Sequence, residues 1–456
     1  MLSAKEKREL YMKSYQEKKD EIDKRITEGI EKHRKAFCQI KITDKDGKPI
    51  TFSNVKLTQK NHEFNYGANI FMLDEFDTKE KNVEYRRFFK EYFNTATLPF
   101  YWDALESEEG KPRYAKNSKK IYRRPAPDLC MEYCEENGIS PKLHCLVYEH
   151  FIPEWMKRLP LNEVKKKYEE RFRQISERYS GRMLEFEVIN ETLCQWHDTV
   201  LGHEKDIIEW AFDLAHKYFP NETLIINEGA NRLTDIGNTE VQGFTGYRTP
   251  YYLQLEMLLS KGVKFDKIGI QNHLFTGTSA HTEEEYEASV KDGVEMNNPL
   301  KYFKGLDMLA EFGLPIEITE VTVPTFGDTI EDEELQADML KLWYSIWFSH
   351  PAVDTVVYWN TVDGYAYTGN PDWVENNCKG GLFHKDLTPK KSALMIKKLF
   401  NEVWHTETKL TTDNDGYTDF RGFYGDYELE IEINGKTVTK ELSLSKNKNN
   451  SHIIKI

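Results

Sequence analysis

The sequence predicts a closed (β/α)8 barrel beside a small β-sandwich-like domain formed by strands from both chain ends, and three observations carry that prediction. Eight short apolar stretches alternate with longer amphipathic ones through the middle of the chain, the pattern of repeated βα units. Both ends instead show polar and apolar residues in strict alternation, the pattern of half-buried antiparallel strands. Polar side chains also gather just behind the apolar stretches, where a barrel keeps its functional loops.

In chain order, the first segment is dense in Lys and Glu, and Tyr11, Tyr15, Ile22, Ile26 and Ile30 fall four or seven apart. That spacing predicts one long amphipathic helix over 1–35, docked by its apolar stripe on a larger body. FCQIKITDKDGKPITFSNVKLTQ then alternates around Asp46-Gly47, a hairpin signal, and GDYELEIEINGKTVTKELSLS mirrors it around Asn434-Gly435. The strands of 36–63 and 403–456 are therefore expected to meet in one accessory β-domain of structural function, enclosing a barrel over 64–402. The eight barrel strands are placed at Tyr66–Ile70, Asn94–Leu98, Lys142–Val147, Leu184–Ile189, Thr223–Asn227, Lys267–Gln271, Pro315–Thr319 and Val353–Trp359. A length of 456 residues suits a large domain with an appendage.

Composition narrows the partner. A formal charge of −14 argues against nucleic acid or an anionic membrane, since phosphate-binding surfaces are basic. Nine Trp and 25 Tyr in an acidic chain suit a neutral, sugar-like ligand. The six cysteines form no CxxC pair, so neither a zinc site nor a disulfide framework is indicated, and no metal or cofactor is expected. No stretch is long and apolar enough to span a membrane. With Met1 as the native start the protein is expected to be cytoplasmic, and secreted if a signal peptide has been removed.

The strand ends carry the chemistry. The fourth strand ends in Asn190-Glu191, the fifth in Asn227-Glu228, the sixth in Gln271-Asn272-His273, the seventh in Glu320 and the eighth in Trp359-Asn360. Carboxyls after strands four and seven face one another across a barrel mouth. Glycoside cleavage needs such a pair, one to protonate the leaving oxygen and one to attack or activate water. Their pKa values must be split by burial and hydrogen bonding, with Gln271 and His273 placed to donate to Glu320 and keep it charged. Glu228 reads first as a hydrogen-bonding rim residue, with substrate contact the alternative. His144, inside a strand, reads as a satisfied interior histidine.

FEVINETL resembles the acid/base segment W-D-V-V-N-E-A of glycoside hydrolase family 10, the xylanase family. LPIEITEVTV is similar to its nucleophile segment I-T-E-L-D, IGIQNHL to G-S-Q-x-H-L, CLVYEHFIPEWM to T-L-V-W-H-x-x-x-P-x-W, and VVYWNTVDGYAY to T-V-W-G-V-x-D. The five segments occur in order between Tyr66 and Phe400. The resemblance implies a retaining β-glycoside hydrolase that takes an oligo- or polysaccharide. It makes Glu191 the acid/base, Glu320 the nucleophile, Asn190 the amide on the sugar 2-hydroxyl, Gln271 and His273 the supports of the nucleophile, and Trp359 the aromatic wall.

Three departures bear on the substrate. The family's T-P-E-N-E-M-K-W-D, whose Glu, Asn and Lys grip the glycone, is here the shorter TLPFYWDALE, leaving Phe100 and Tyr101 in that place. The family His of V-W-H falls on Glu149; either this carboxyl faces the sugar, or it turns away and His150 serves. The aromatic lid after strand eight is Tyr365 or Tyr367, where the family commonly places Trp. A decorated or otherwise altered β-linked substrate is expected. The basic run Lys116 to Arg124 reads as a solvated helix face, or alternatively as a site for an acidic sugar. A catalytically impaired sugar-binding barrel is the competing function.

Overall fold

The computed structural model describes residues 2–194, 198–230, 232–240 and 243–456. Fifteen strands are described: β1 (Lys35–Thr43), β2 (Asn54–His62), β3 (Asn65–Asn69), β4 (Thr95–Pro99), β5 (Ser140–His144), β6 (Glu185–Asn190), β7 (Thr223–Glu228), β8 (Lys267–His273), β9 (Ile316–Thr322), β10 (Val353–Tyr358), β11 (Glu407–Thr411), β12 (Tyr417–Phe423), β13 (Gly425–Ile433), β14 (Lys436–Leu444) and β15 (Ser451–Lys455). Strands β3 to β10 close into an eight-stranded barrel, each parallel to its neighbours, with helices between them. The eight stretches read from sequence are these strands, shifted by a few residues at their ends.

The remaining strands form two sheets, ordered β12-β1-β15 and β11-β2-β13-β14, so each sheet joins N-terminal and C-terminal chain. Cys38, Ile40 and Ile42 from the first meet Val55, Leu57, Leu429 and Ile431 from the second in one apolar core. The turn at Asn434-Gly435 is a true two-residue hairpin, both residues left-handed (φ 50° and 76°) and flanked by the Ile433–Lys436 pair. Asp46-Gly47 is not. Asp44 and Lys48 close a tight turn there, but β1 and β2 then separate into different sheets. The chain crosses at Phe52, which is left-handed (φ 52°) and donates its amide to Thr412.

The N-terminal segment is two helices, Ala4–Glu17 and Lys19–His33, and not the single helix expected. The break is at Lys18, whose φ and ψ of −126° and 22° leave the helical region while its amide bonds the Tyr15 carbonyl. Docking goes as the stripe predicts: Tyr11 and Ile22 are fully buried, and Lys7 makes a buried 2.7 Å ion pair with Asp332 of the helix Ile330–Ser349.

Barrel interiors are usually filled by branched apolar side chains. Here one layer is charged. Lys142 on β5 is bonded to both Glu187 on β6 and Glu317 on β9, all fully buried, while Lys267 on β8 reaches Glu185 at 2.7 Å and Asp354 at 3.1 Å. This layer lies directly below the strand ends, since Lys142 precedes His144 by two residues and Glu187 precedes Asn190 by three. Among the described residues no helix is long and apolar enough to cross a membrane, and the six cysteines are unbridged.

Candidate active site

The residues that end β6, β8 and β9 converge on one amide. Nε2 of Gln271 donates to Oε1 of Glu191 at 2.8 Å and to Oε1 of Glu320 at 3.0 Å. Those two oxygens are therefore no more than about 5.8 Å apart, the two bonds laid end to end, which admits the roughly 5 to 5.5 Å carboxyl spacing of direct nucleophilic displacement. Glu191 lies one residue past β6 in the left-handed region (φ 56°), anchored by its amide on the Asn227 carbonyl at 3.1 Å. Such a backbone costs a residue bearing a Cβ of order 1 kcal/mol. It turns the side chain off the strand line toward Gln271 and the Tyr148 hydroxyl, which donates to Oε2 of Glu191.

Glu320 is buried and takes three donors. Besides Gln271 these are Nδ2 of Asn227 at 3.2 Å and Nε2 of His273 at 3.2 Å. Burial lowers the His273 pKa to about 4, so the ring is neutral at pH 7. Its Nδ1 then accepts the Thr322 hydroxyl at 2.8 Å and its Nε2–H donates to Glu320. These donors do not hold Glu320 in the ordinary carboxylate range. Burial pushes it up to about 8, against the opposing charge of His144 and with Glu191 adding to the rise.

Asn227 is the hub. Thr319 donates to its Oδ1 at 2.6 Å, which orients the amide so that Nδ2 faces Glu320, Oδ1 of Asn190 at 2.8 Å and Glu187 at 3.2 Å. With its Oδ1 held there, Asn190 has its buried Nδ2 without a partner among the described residues, a donor left open beside the two carboxyls.

His144 is an interior histidine, as read from sequence, but it belongs to the site. Its Nε2 meets the Tyr101 hydroxyl at 3.0 Å and its Nδ1 bonds Glu187. Burial favours neutral imidazole, but Glu187 outweighs it and raises the His144 pKa. In turn burial is overcome at Glu187, which Lys142 and His144 hold down to about 2. His144, Glu187 and Glu320 bring one ligand atom each within 4.8 Å. A dication would have to displace the Lys142 ammonium already bonded to Glu187, so this trio reads as a charge-compensated hydrogen-bond cluster.

Trp359, Tyr101 and Phe71 pack as one aromatic group against Tyr148 and Phe151, with ring centroids 5.2 Å apart for Phe71 and Trp359 and 4.6 Å for Tyr101 and Phe151. Of the two candidate lids, Tyr367 reaches this wall, 5.9 Å from Phe151. Tyr365 instead packs on Phe76 and accepts from Lys81.

Of the candidate substrate ligands, Glu149 turns away and Glu228 is a hydrogen-bonding residue of the rim. Glu149 accepts from the Tyr168 hydroxyl (2.9 Å) and from the amide and hydroxyl of Thr199 (2.9 and 2.8 Å), so it anchors the loop behind β6, and His150 lies on the cleft side against Phe151. Glu228 accepts from the amides of Leu193 (2.9 Å), Gly229 (2.9 Å) and Ala230 (3.1 Å) and pins the same loop. Asn227, Tyr148, Glu187 and His144 were not among the residues expected to build the site. Tyr148 and His144 lie within or beside the segment CLVYEHFIPEWM, so the signal was present there.

An eight-stranded barrel with two bridged carboxyls at the C-terminal ends of strands and an aromatic wall beside them has the architecture of a glycoside-hydrolase barrel. The glycosyl hydrolase family 10 model matches residues 71–398, and the chain belongs to that family. It is 26% identical over 421 residues to anti-sigma-I factor RsgI6 of Acetivibrio thermocellus, covering 91% of this chain and 47% of that protein. It is 25% identical to endo-1,4-beta-xylanase 1 of Arabidopsis thaliana over 417 residues, 90% of this chain and 38% of that one. The chain thus spans less than half the length of these relatives. Native xylanase 10B from Thermotoga maritima superposes with a TM-score of 0.57 at 22% identity, covering 75% of this chain and 96% of that chain, a likeness of fold.

Proposed function

We propose that the chain is a retaining β-glycoside hydrolase acting on xylan-like or decorated β-linked oligo- or polysaccharide, with Glu191 as acid/base and Glu320 as nucleophile. The observation that carries this is the single Gln271 amide bonded to both carboxylates. It keeps one oxygen of each carboxyl within about 5.8 Å of the other, which suits direct attack at C1 better than the roughly 6.5 to 9.5 Å spacing with which an inverting enzyme places a water on the opposite face of the sugar. The xylanase names among the relatives support the substrate class.

In the first step Glu191 gives its proton to the glycosidic oxygen as the C1–O bond breaks, and Glu320 attacks C1 to form a glycosyl ester. In the second, Glu191 takes a proton from water, the water oxygen bonds to C1, and Glu320 leaves with the anomeric configuration restored. The reaction requires the proton on Glu191 and the charge on Glu320. The open Nδ2 of Asn190 suits a bond to the sugar 2-hydroxyl, Trp359 serves as the aromatic wall for the ring, and Tyr367 closes over it. The sheets of 36–63 and 403–456 serve as a structural accessory to the barrel of 64–402.

The name of the anti-sigma-I relative favours one other reading, a barrel that binds sugar as part of a longer regulatory chain without cleaving it. Incubation with defined β-1,4-xylo-oligosaccharides, with product mass and anomer followed by NMR, separates the two. The hydrolase reading requires β-product first and loss of turnover in Glu320→Ala and Glu191→Ala; binding without any cleavage would leave the sugar-binding barrel.

A further inference from the structure

The basic run ahead of β5 does not end on a solvated helix face. Its last two residues turn into the cleft. Arg124 lies flat on Tyr101, 3.8 Å from the ring centroid, and within 5.6 Å of Phe71 and 5.4 Å of Phe151. Arg123 is buried, left-handed at φ 59°, and stands 5.5 Å over the same Phe71 ring. Neighbouring side chains on extended backbone point apart; the left-handed turn at Arg123 brings both guanidinium groups onto one ring, at the strain cost of a Cβ-bearing residue with positive φ.

Neither cation makes an ion pair among the described residues, although the buried Glu375 carboxyl feels the charge of both. Arg124 makes one side-chain hydrogen bond to the protein among the described residues, from Nη1 to the Arg123 carbonyl at 3.0 Å. Arg123 donates from Nη1 to the Tyr365 carbonyl at 2.6 Å, and its buried Nε has no partner. The other inward-facing arginines are spent: Arg34 and Arg171 each hold several backbone carbonyls. Asp103 is a second acid whose charge Arg124 feels, beyond ion-pair distance and partly engaged by the Ala104 amide. Glu149 faces away with both oxygens bonded. Glu375 is itself bonded to the Asn360 side chain and the Tyr367 amide, so the two adjacent cations stand at the aromatic wall with no carboxylate bonded to either among the described residues.

We propose that Arg124, backed by Arg123, receives the carboxylate of an acidic sugar, so that the preferred substrate of this cleft carries a uronic acid. The guanidinium fork matches a carboxylate with two parallel N–H···O bonds, and the rings that hold it flat present its edge to the ligand. A neutral sugar offers stacking area and hydroxyls but does not compensate a part-buried charge. The site lies one ring from the chemistry, because the Tyr101 beneath Arg124 bonds His144, which neighbours Glu320.

This rests on the hydrolase reading only for turnover; the ligand preference stands apart from it and is measured by binding. Calorimetry on Glu320→Gln protein compares xylotetraose with the same oligosaccharide bearing one α-1,2-linked glucuronic acid. The acidic ligand should bind about 10- to 100-fold tighter, the range of one to two charge-assisted hydrogen bonds. Adding Arg124→Gln should remove that ratio, and Arg124→Lys should keep part of it. Equal or weaker binding of the acidic ligand, or no measurable binding of it, overturns the proposal. So does Arg124→Gln weakening both ligands by the same factor, which would make Arg124 a hydroxyl donor for neutral sugar. An Arg124-dependent preference in a wild-type protein that cleaves neither compound would sink the hydrolase reading and leave this site standing.

Discussion

Gly229→Ala tests whether the position of the Gln271 amide governs the reaction. Gly229 follows the end of β7, and a Cβ there would lie 2.3 Å from Oε1 and 2.8 Å from Cδ of Gln271, where ordinary contact begins near 3.4 Å. The neighbour is the end of a side chain, so the amide gives way by about 1 Å and takes with it the donor shared by Glu191 and Glu320. A misplacement of about 1 Å around reacting groups costs on the order of 100-fold in rate. The backbone at 229 is not left-handed, so the chain accepts alanine there, and loss of unfolded-state freedom adds about 0.4 to 1 kcal/mol of stability that offsets the disturbed bonds. With 4-nitrophenyl β-xylobioside, kcat should fall roughly 10- to 100-fold while the melting temperature stays near that of wild type. On top of Gln271→Leu the alanine should add little, since both changes remove the same donor. Wild-type kcat in a stable Gly229→Ala protein, or fully additive losses in the double variant, would show that the amide bridge does not matter to turnover.

Three further outcomes follow from the buried charges. Lys142→Met leaves Glu187 and Glu317 without their shared cation and should cost about 3 to 5 kcal/mol in denaturant titration; a loss under 1 kcal/mol would mean the layer is hydrated. Glu187, held at about 2 in the fold, contributes stability that is complete above its unfolded pKa of about 4.3 and is lost as pH falls toward 2, a dependence that Glu187→Gln should flatten. Glu320 has the opposite sign: with its folded pKa raised to about 8, its stabilising contribution is present below its unfolded pKa and lost as pH rises through 8, so Glu320→Gln should gain stability relative to wild type at alkaline pH. The same ionisation should set the acid limb of wild-type kcat/KM above the ordinary carboxylate range, and an acid limb at or below 5 would contradict it.

Glu191, Glu149 and Glu228 show what the sequence made legible and what it hid. All three follow an apolar strand by one or two residues, so periodicity finds them equally well. Their fates divide on acceptor and donor geometry that exists only when the barrel is closed. Glu228 meets the amides of 193, 229 and 230, Glu149 meets Thr199 and Tyr168, and Glu191 turns at φ 56° toward Gln271. The resemblance to family 10 separated Glu191 from the others by its neighbours in sequence, and at Glu149 it left the two readings that only the fold could divide. Asn227 was visible as a polar strand end, but its role as a hub needs β6, β7 and β9 brought side by side. The cut between the N-terminal helices was hidden for a different reason: Lys18 carries no turn chemistry, and both helices dock on the same helix Ile330–Ser349, so the apolar stripe reads as continuous across the break. Arg124 is the extreme case. It stands 25 residues beyond the end of β4, in a run whose composition describes a solvated surface. What makes it a site is a left-handed neighbour and three aromatic rings from separate loops, and no local pattern in the run encodes either. The absence of the Glu, Asn and Lys grip after the second barrel strand therefore does not leave the wall bare: a cation is supplied from elsewhere in the chain, and with no carboxylate bonded to it among the described residues it changes which substituent the cleft can hold.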